Sequence, residues 1–214
     1  GSSVDTEGFD ALVVPTLVDH QRARVVADSL TICKHLVRHE TDKHELYPED
    51  LREEIEAQLQ AVDRTPHVAL LYGSNPDRRD GRSFVFRRVF KGEHLKKAAA
   101  AQHQADIVAG EDPRLDAAYA AKVAKERAGS DFVGSAEKMR GAVSTTRDLI
   151  LRFAQTLERA QGPWSCGAQF TLADLFWGVS LFRLEYLGYG WLYREHKTHT
   201  IVADFADRVF ARPC

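Results

Sequence analysis

The stretch from residue 13 to residue 36 constrains the fold of this chain more than any other part of the sequence. An apolar run that contains Pro15 predicts a strand, a short polar turn follows, and a second apolar run predicts a partner strand. Asp28 and Ser29 then begin an amphipathic helix. Because proline cannot donate a hydrogen bond to a sheet, Pro15 requires an edge, a bulge or a cis bond to Val14. The sequence therefore predicts a β-β-α unit with an unusual backbone at its start.

The start of that helix carries groups that suit a ligand carboxylate. Free backbone N–H groups, the hydroxyl of Ser29 and the positive end of the helix dipole all favour an anion there. Asp and Ser are also common N-cap residues, so the pair by itself is equally typical of an ordinary capped helix.

A second motif lies far downstream, FTLADL at residues 170–175. It predicts an N-capping box between Thr171 and Asp174 at the start of an apolar helix. Valine-proline before a strand, an acidic-Ser pair at a helix start and this downstream box together resemble the glutathione transferase superfamily.

The resemblance implies a glutathione site and names its residues. The backbone of Val14, held outward by the bond to Pro15, would pair with the cysteinyl backbone of glutathione. Asp28 and Ser29 would hold the γ-glutamyl end. The family's activating Tyr, Ser or Cys lies near a first strand that precedes these elements, so the catalytic residue is unknown and we expect an N-terminal segment to be missing.

The resemblance also implies an α+β fold of two domains. Residues 1–42 would be the β-β-α second half of a thioredoxin-like, glutathione-binding N-terminal domain. Residues 43–50 would be a linker, and residues 51–214 an all-α helical bundle that binds the substrate.

Within the superfamily, the chain most resembles the bacterial glutathione-dependent reductive dehalogenases. The segments VVADSLTICKHL, TPHVALLYG and FTLADLFWGVSLFR carry this resemblance. It implies an enzyme of lindane or pentachlorophenol degradation that removes chloride from chlorinated hydroquinones through the glutathione thiolate, as a homodimer. Another transferase-type enzyme, either a β-aryl etherase or a general conjugating transferase, and a non-catalytic binding protein with the same fold remain open.

Composition and charge argue against other classes of function. The chain has 29 basic and 31 acidic residues and a net charge of −2, which predicts no general attraction to nucleic acid or to anionic membranes. No apolar run is long enough to span a bilayer. Three widely spaced cysteines favour a reducing cytoplasm over a disulfide framework.

His67 and Tyr72 are the candidate substrate residues. They lie in a long predicted helix, residues 51–72, which Pro66 is expected to kink. By the resemblance this helix faces the active site. The alternative is that both side chains pack in the core and the histidine is satisfied there.

An arginine-rich tract with interleaved phenylalanines occupies residues 78–97. It predicts a solvated face, with nucleic-acid binding as a less favoured alternative. A sharper hypothesis is that the tract overhangs the substrate site and attracts a phenolate.

Three further groups of residues favour structural roles. His35 and His39 lie one turn apart, with His44 beyond, but no Glu completes a metal-binding motif, so we predict surface histidines and no metal site. None of the cysteines occupies the family's catalytic position, so none is predicted to be a nucleophile. Arg183 and Glu185 interrupt the most apolar helix, residues 171–187, which should be buried all round, and so they are predicted to form an ion network.

Overall fold

The chain is mostly helical and contains one small antiparallel sheet, which agrees with the predicted α+β layout. Internal contacts divide it into two compact units, residues 1–44 with 92–131 and residues 45–91 with 132–214. The computed structural model describes residues 15–39, 45–78, 82, 84–90, 92–195 and 200–213.

The elements follow one another along the chain in the order strand, strand and then helices. The strands are β1 (Thr16–Asp19) and β2 (Arg24–Ala27). A 3₁₀ turn at Glu49–Leu51 precedes α2, and the described helices are α1 (Ser29–His39), α2 (Arg52–Asp63), α3 (His67–Tyr72), α4 (Phe84–Phe90), α5 (Glu93–Val108), α6 (Pro113–Gly134), α7 (Ala136–Arg159), α8 (Leu172–Tyr186), α9 (Trp191–Arg194) and α10 (Thr200–Phe210).

The first unit contains the β1–β2 hairpin and α1, as the sequence predicts. Thr16 lies opposite Ala27 and Asp19 opposite Arg24. The helix α1 follows β2 directly and packs on the hairpin. The same unit contains α5 and α6 as far as residue 131.

The second unit has its own apolar core around α8, which packs against α2 and α10. The ring of Trp177 stacks on Phe153 with centroids 3.9 Å apart, and Phe205 meets Phe153 edge to face at 5.0 Å. The indole N–H of Trp177 donates to Gln58 on α2 at 3.1 Å, so the buried indole keeps a hydrogen bond.

The predicted capping box at the start of α8 is confirmed. Asp174 is fully buried, and one of its carboxylate oxygens accepts from the N–H and the hydroxyl of Thr171 at 2.8 and 2.9 Å. Its other oxygen accepts from the N–H and the hydroxyl of Ser165, both at 2.7 Å. Four hydrogen bonds compensate for removing this carboxylate from water, which fixes the start of the central helix.

Three expectations about the helices were wrong. The predicted helix over residues 51–72 ends at Asp63 and a new one begins at His67, because Pro66 breaks the helix and does not only kink it. The arginine-rich tract, for which the sequence analysis predicts no helix, contains the short helix α4. The helix α8 is not buried all round, since one row of its apolar side chains is exposed.

None of the helices in the described part of the chain is long and apolar enough to cross a membrane.

Candidate functional site

The hairpin places Pro15 at the same end of the sheet as Asp28 and Ser29. Thr16 pairs with Ala27, so the residue before β1 and the residues after β2 lie side by side, at about the 5 Å spacing of paired strands. In the sequence, Pro15 is separated from Asp28 by a dozen residues, and the pairing of the strands brings them together. Val14 and its bond to Pro15 lie outside the described residues, so the proposed cis bond stays a prediction.

Asp28 has a left-handed backbone, with φ of 73°. Its carboxylate accepts from the N–H and the hydroxyl of Thr31 at 3.1 and 3.2 Å, and its carbonyl accepts from the N–H of Ile32 at 2.9 Å. A non-glycine residue in this conformation costs roughly 1–2 kcal/mol, and such strain is concentrated at ligand clamps and active sites. The side chain of Asp28 therefore shapes the helix start.

Ser29 is the better placed of the two residues to bind a ligand. It is exposed at the first position of α1, and its hydroxyl bonds to no other described residue. The helix that begins here has eleven residues, enough for a dipole that favours an anion at this end. Ser29 can thus offer a hydroxyl and a backbone N–H to a carboxylate.

The opposite end of the hairpin is fastened to α1 by a buried histidine. Nε2 of His35 lies 2.8 Å from a carboxylate oxygen of Asp19, which also accepts from the N–H and the guanidinium of Arg22. The hydrogen bond from His35 is the main reason that the pKa of Asp19 lies well below its ordinary value. The expectation that His35 is a surface residue was therefore wrong, whereas His39 is exposed and packs on the His35 ring at 4.6 Å.

His67 joins α3 to α8 inside the second unit. Its Nε2 lies 3.0 Å from the hydroxyl of Ser180, and its Nδ1 is buried without a hydrogen-bond partner among the described residues. Burial, and secondly the positive charge of Arg183, lower its pKa from 6.5 to about 4. The imidazole is thus neutral at physiological pH. Its role beside a substrate stays a prediction.

Tyr72 packs on α4, with its ring centroid 5.9 Å from that of Phe90. The structure places Tyr72 and His67 at the two ends of the same short helix.

Two arginines of the arginine-rich tract are engaged within the protein. Arg78 binds Glu195 at 2.8 Å and lies over the ring of Trp191 at 4.5 Å. Arg82 is buried and donates to the carbonyl oxygens at the end of α3, at 2.6 and 2.8 Å. Attraction of a phenolate would therefore depend on other basic residues of the tract, such as the exposed Arg88. Arg79 and Lys91 lie outside the described residues.

The described cysteines are held as thiols. Burial raises the pKa of Cys33, assisted by the negative charge of Asp28, and burial raises the pKa of Cys166. A raised pKa opposes the thiolate that a nucleophile requires. Cys214 and His44 lie outside the described residues, and no cluster of three or more possible metal ligands occurs among the residues that are described.

The predicted ion network is confirmed for Glu185 but not for Arg183. Glu185 accepts from the hydroxyl of Tyr193 at 2.6 Å and from Arg194, which also binds Asp207 at 2.8 Å. Arg183 is exposed.

Sequence reasoning missed two histidine–carboxylate pairs in the first unit. Besides Asp19 with His35, Nδ1 of His94 on α5 lies 2.7 Å from Glu126 on α6, and both side chains are buried. A β-carbon at Gly129 would come within 2.6 Å of the His94 ring, so any larger residue there would force the ring to shift. In the sequence, the feature that could have indicated this pair is a glycine inside an alanine-rich helix.

No family model matches the chain. Over 212 residues it is 44% identical to the 2,5-dichlorohydroquinone reductive dechlorinases of two strains of Sphingobium indicum. The alignment covers 99% of this chain and 61% of each dechlorinase, so the chain spans about three fifths of the length of the curated relatives it matches. The predicted similarity to a reductive dechlorinase is confirmed.

Proposed function

We propose that this chain is part of an enzyme that removes chloride from chlorinated hydroquinones with glutathione as the reductant. The observation that carries the proposal is 44% identity to a dichlorohydroquinone reductive dechlorinase along 99% of the chain. At this level of identity, over almost every residue, the helical core and the hairpin are shared, and so the same chemistry is the most economical assignment.

The hairpin end supports glutathione as the thiol donor. Pro15, the strained Asp28 and the exposed Ser29 lie together there, as the resemblance to glutathione transferases implies. Ser29 would bind the γ-glutamyl carboxylate through its hydroxyl and N–H, Asp28 would hold the turn, and Val14 would pair with the cysteinyl backbone.

Glutathione would supply the thiolate that displaces chloride from the ring. A second thiolate, from another glutathione or from a cysteine nearer the N-terminus of the enzyme, would attack the sulfur of the conjugate, so that the chlorinated ring and two thiols give the reduced hydroquinone, a disulfide and HCl. The residues described here would bind and orient glutathione and the ring. They would not supply the nucleophile, because neither described cysteine has a lowered pKa. His67 and Tyr72 would border the ring of the hydroquinone. A neutral imidazole there can donate a hydrogen bond to a phenol or accept one from it.

The resemblance to glutathione transferases also supports our proposals on domain organisation, oligomeric state and localisation. Residues 1–42 would be the second half of a thioredoxin-like domain, residues 43–50 a linker and residues 51–214 the substrate domain. The enzyme would be a cytoplasmic homodimer.

Chloride release tests the proposed activity. The natural full-length protein is incubated with 2,5-dichlorohydroquinone and glutathione, and free chloride is measured by ion chromatography. We expect chloride release that depends on glutathione. Absence of chloride would overturn the proposal, and activity on aryl ethers in its place would select the etherase alternative.

A pair of serine variants tests the clamp separately. Ser29→Ala removes a hydrogen bond to a charged carboxylate, so the KM for glutathione should rise about tenfold to a hundredfold. Ser144→Ala, at an exposed serine of α7, is the matched control and should leave KM unchanged. Equal KM values in the two variants would contradict the clamp while leaving the dechlorinase assignment standing.

A further inference from the structure

The bond between Asp19 and His35 ties the middle of α1 to the turn end of the hairpin. From Asp19 the chain runs through the turn and along β2 to Asp28, and it returns along α1 to His35. The hydrogen bond between the two side chains closes this path into a ring. The proposed glutathione clamp, Asp28 with Ser29, lies at the opposite end of that ring.

The turn of the hairpin orients the Asp19 carboxylate. One carboxylate oxygen accepts from the N–H of Arg22 at 3.0 Å, and the other accepts from the guanidinium of Arg22 at 3.2 Å. Because an ionised carboxylate only accepts hydrogen bonds, Nε2 of His35 must be the donor in the third contact, at 2.8 Å. A hydrogen bond to a charged acceptor is roughly twice as strong as a neutral one.

Burial makes this pair a specific attachment of α1. The side chains of His35 and Asp19 are only 8 and 10% exposed. A pair of the same residues in open solvent would contribute little. Removing the donor from a buried pair leaves part of a carboxylate without a partner, which costs more than the bond itself contributes. The structure therefore favours the one position of α1 in which His35 meets Asp19.

The clamp end of the ring needs such an attachment, because Asp28 has a left-handed backbone. A strained residue of this kind persists only where the structure on both sides holds it in place. Before Asp28, the pairing of Ala27 with Thr16 fixes the strand. After Asp28, the bond from His35 fixes the direction of the helix. Loss of that bond would let α1 turn about Asp28 and would displace the hydroxyl and the N–H of Ser29.

We propose that His35 is a positioning residue for glutathione, which acts through Asp19 to set the direction of α1 and thereby the place of Ser29. The inference rests on the proposed function, because it takes the start of α1 as the site of the γ-glutamyl carboxylate. His35 needs no contact with the ligand. Six residues of helix, about 9 Å, separate it from Ser29, and the effect passes through the helix as a rigid element.

Glutathione binding to the natural full-length protein tests the proposal, with Kd measured by isothermal titration calorimetry. His35→Leu keeps a bulky side chain but removes the donor. The displaced Ser29 would then lose most of a hydrogen bond to a charged group, so Kd should rise about tenfold. His35→Gln should restore most of the affinity, because its amide N–H can take the place of the Nε2 donor. His20→Gln, at an exposed histidine next to Asp19, is the control and should leave Kd unchanged.

Asp19→Asn perturbs the same contact more mildly, from the other side. It replaces the charged acceptor by a neutral one, so Kd should rise about threefold. Folding of each variant is followed by circular dichroism. A residue that only stabilised the fold would reduce the number of binding sites per chain and leave Kd unchanged.

A double-mutant cycle with Ser29 separates positioning from a general effect. In the Ser29→Ala background, His35→Leu should raise Kd by only about twofold, since just the backbone N–H of residue 29 is left to be displaced. Unchanged Kd in both His35→Leu and Asp19→Asn overturns the proposal, and so do equal rises in the two backgrounds. Absence of glutathione binding by the unsubstituted protein overturns it together with the clamp. The expected pattern in a protein that releases no chloride would support the positioning role and overturn the dechlorinase activity alone.

Discussion

His67 shows how a single side chain couples the fold to pH. Its ring bridges α3 and α8 through Ser180 and lies near the cation of Arg183, and its second nitrogen is buried. In the folded protein its pKa is about 4, and in the unfolded chain it returns to about 6.5. The unfolded chain therefore binds a proton more readily than the folded one at every pH between these values.

The stabilisation from neutral His67 should be complete above pH 6.5 and should be lost as the pH falls from 6.5 to 4. His67→Gln keeps a polar group near Ser180 but does not titrate. Between pH 7 and pH 4 the unsubstituted protein should lose roughly 2–3 kcal/mol more free energy of unfolding than the variant. Urea denaturation followed by circular dichroism measures the difference; parallel losses in both proteins would contradict the assigned pKa.

At the scale of elements, the contact between α8 and α10 depends on the absence of a side chain. A β-carbon at Gly178 would lie 2.4 Å from a methyl carbon of Val209, closer than packed atoms tolerate. The two helices approach there because position 178 is glycine, and this contact helps to close the core of the second unit.

Gly178→Ala should lower the free energy of unfolding by about 1–3 kcal/mol, since overpacking outweighs the higher helix propensity of alanine. Adding Val209→Ala should recover part of that loss, because it removes the clashing methyl groups. Gly141→Ala in α7, where a β-carbon meets nothing within 4 Å, should stabilise by about 0.5–1 kcal/mol. Additive effects at positions 178 and 209 in the double variant would contradict the clash.

Sequence analysis predicts best those elements whose own residue pattern is sufficient to determine their secondary structure. The helix α7 is an example, since the apolar stripe and the Ser135 cap in its sequence agree with its observed bounds, Ala136–Arg159. The helix α4 was missed because its seven residues lie in a charged tract. Asp19 with His35 was missed because two residues 16 positions apart meet only after the hairpin folds. For the candidate site, sequence placed Asp28 and Ser29 at the helix start, but the left-handed backbone of Asp28 appears only in the structure.

At the scale of the whole molecule, the charges are nearly balanced. The net charge is −2, and Arg78 and Arg82 of the arginine-rich tract are held by Glu195 and by the carbonyls at the end of α3. A balanced surface gives little release of counterions when it meets a polyanion. We therefore expect that the basic residues of this tract do not form a nucleic-acid surface.

The full-length protein should elute from a heparin column at or below about 0.15 M salt. Arg88→Glu, at an exposed position in the tract, should leave the elution unchanged. Retention well above physiological salt, together with earlier elution of the variant, would instead identify the tract as a polyanion site.

The stack of Trp177 on Phe153 has an optical consequence for anyone who follows the unfolding of this chain. All three tryptophans, Trp164, Trp177 and Trp191, belong to the second unit. Tryptophan fluorescence therefore reports directly on that unit, whereas the hairpin with its strained Asp28 contains no tryptophan. Agreement between fluorescence and ellipticity curves would show that the two units melt together, and a gap between the curves would show that they melt apart.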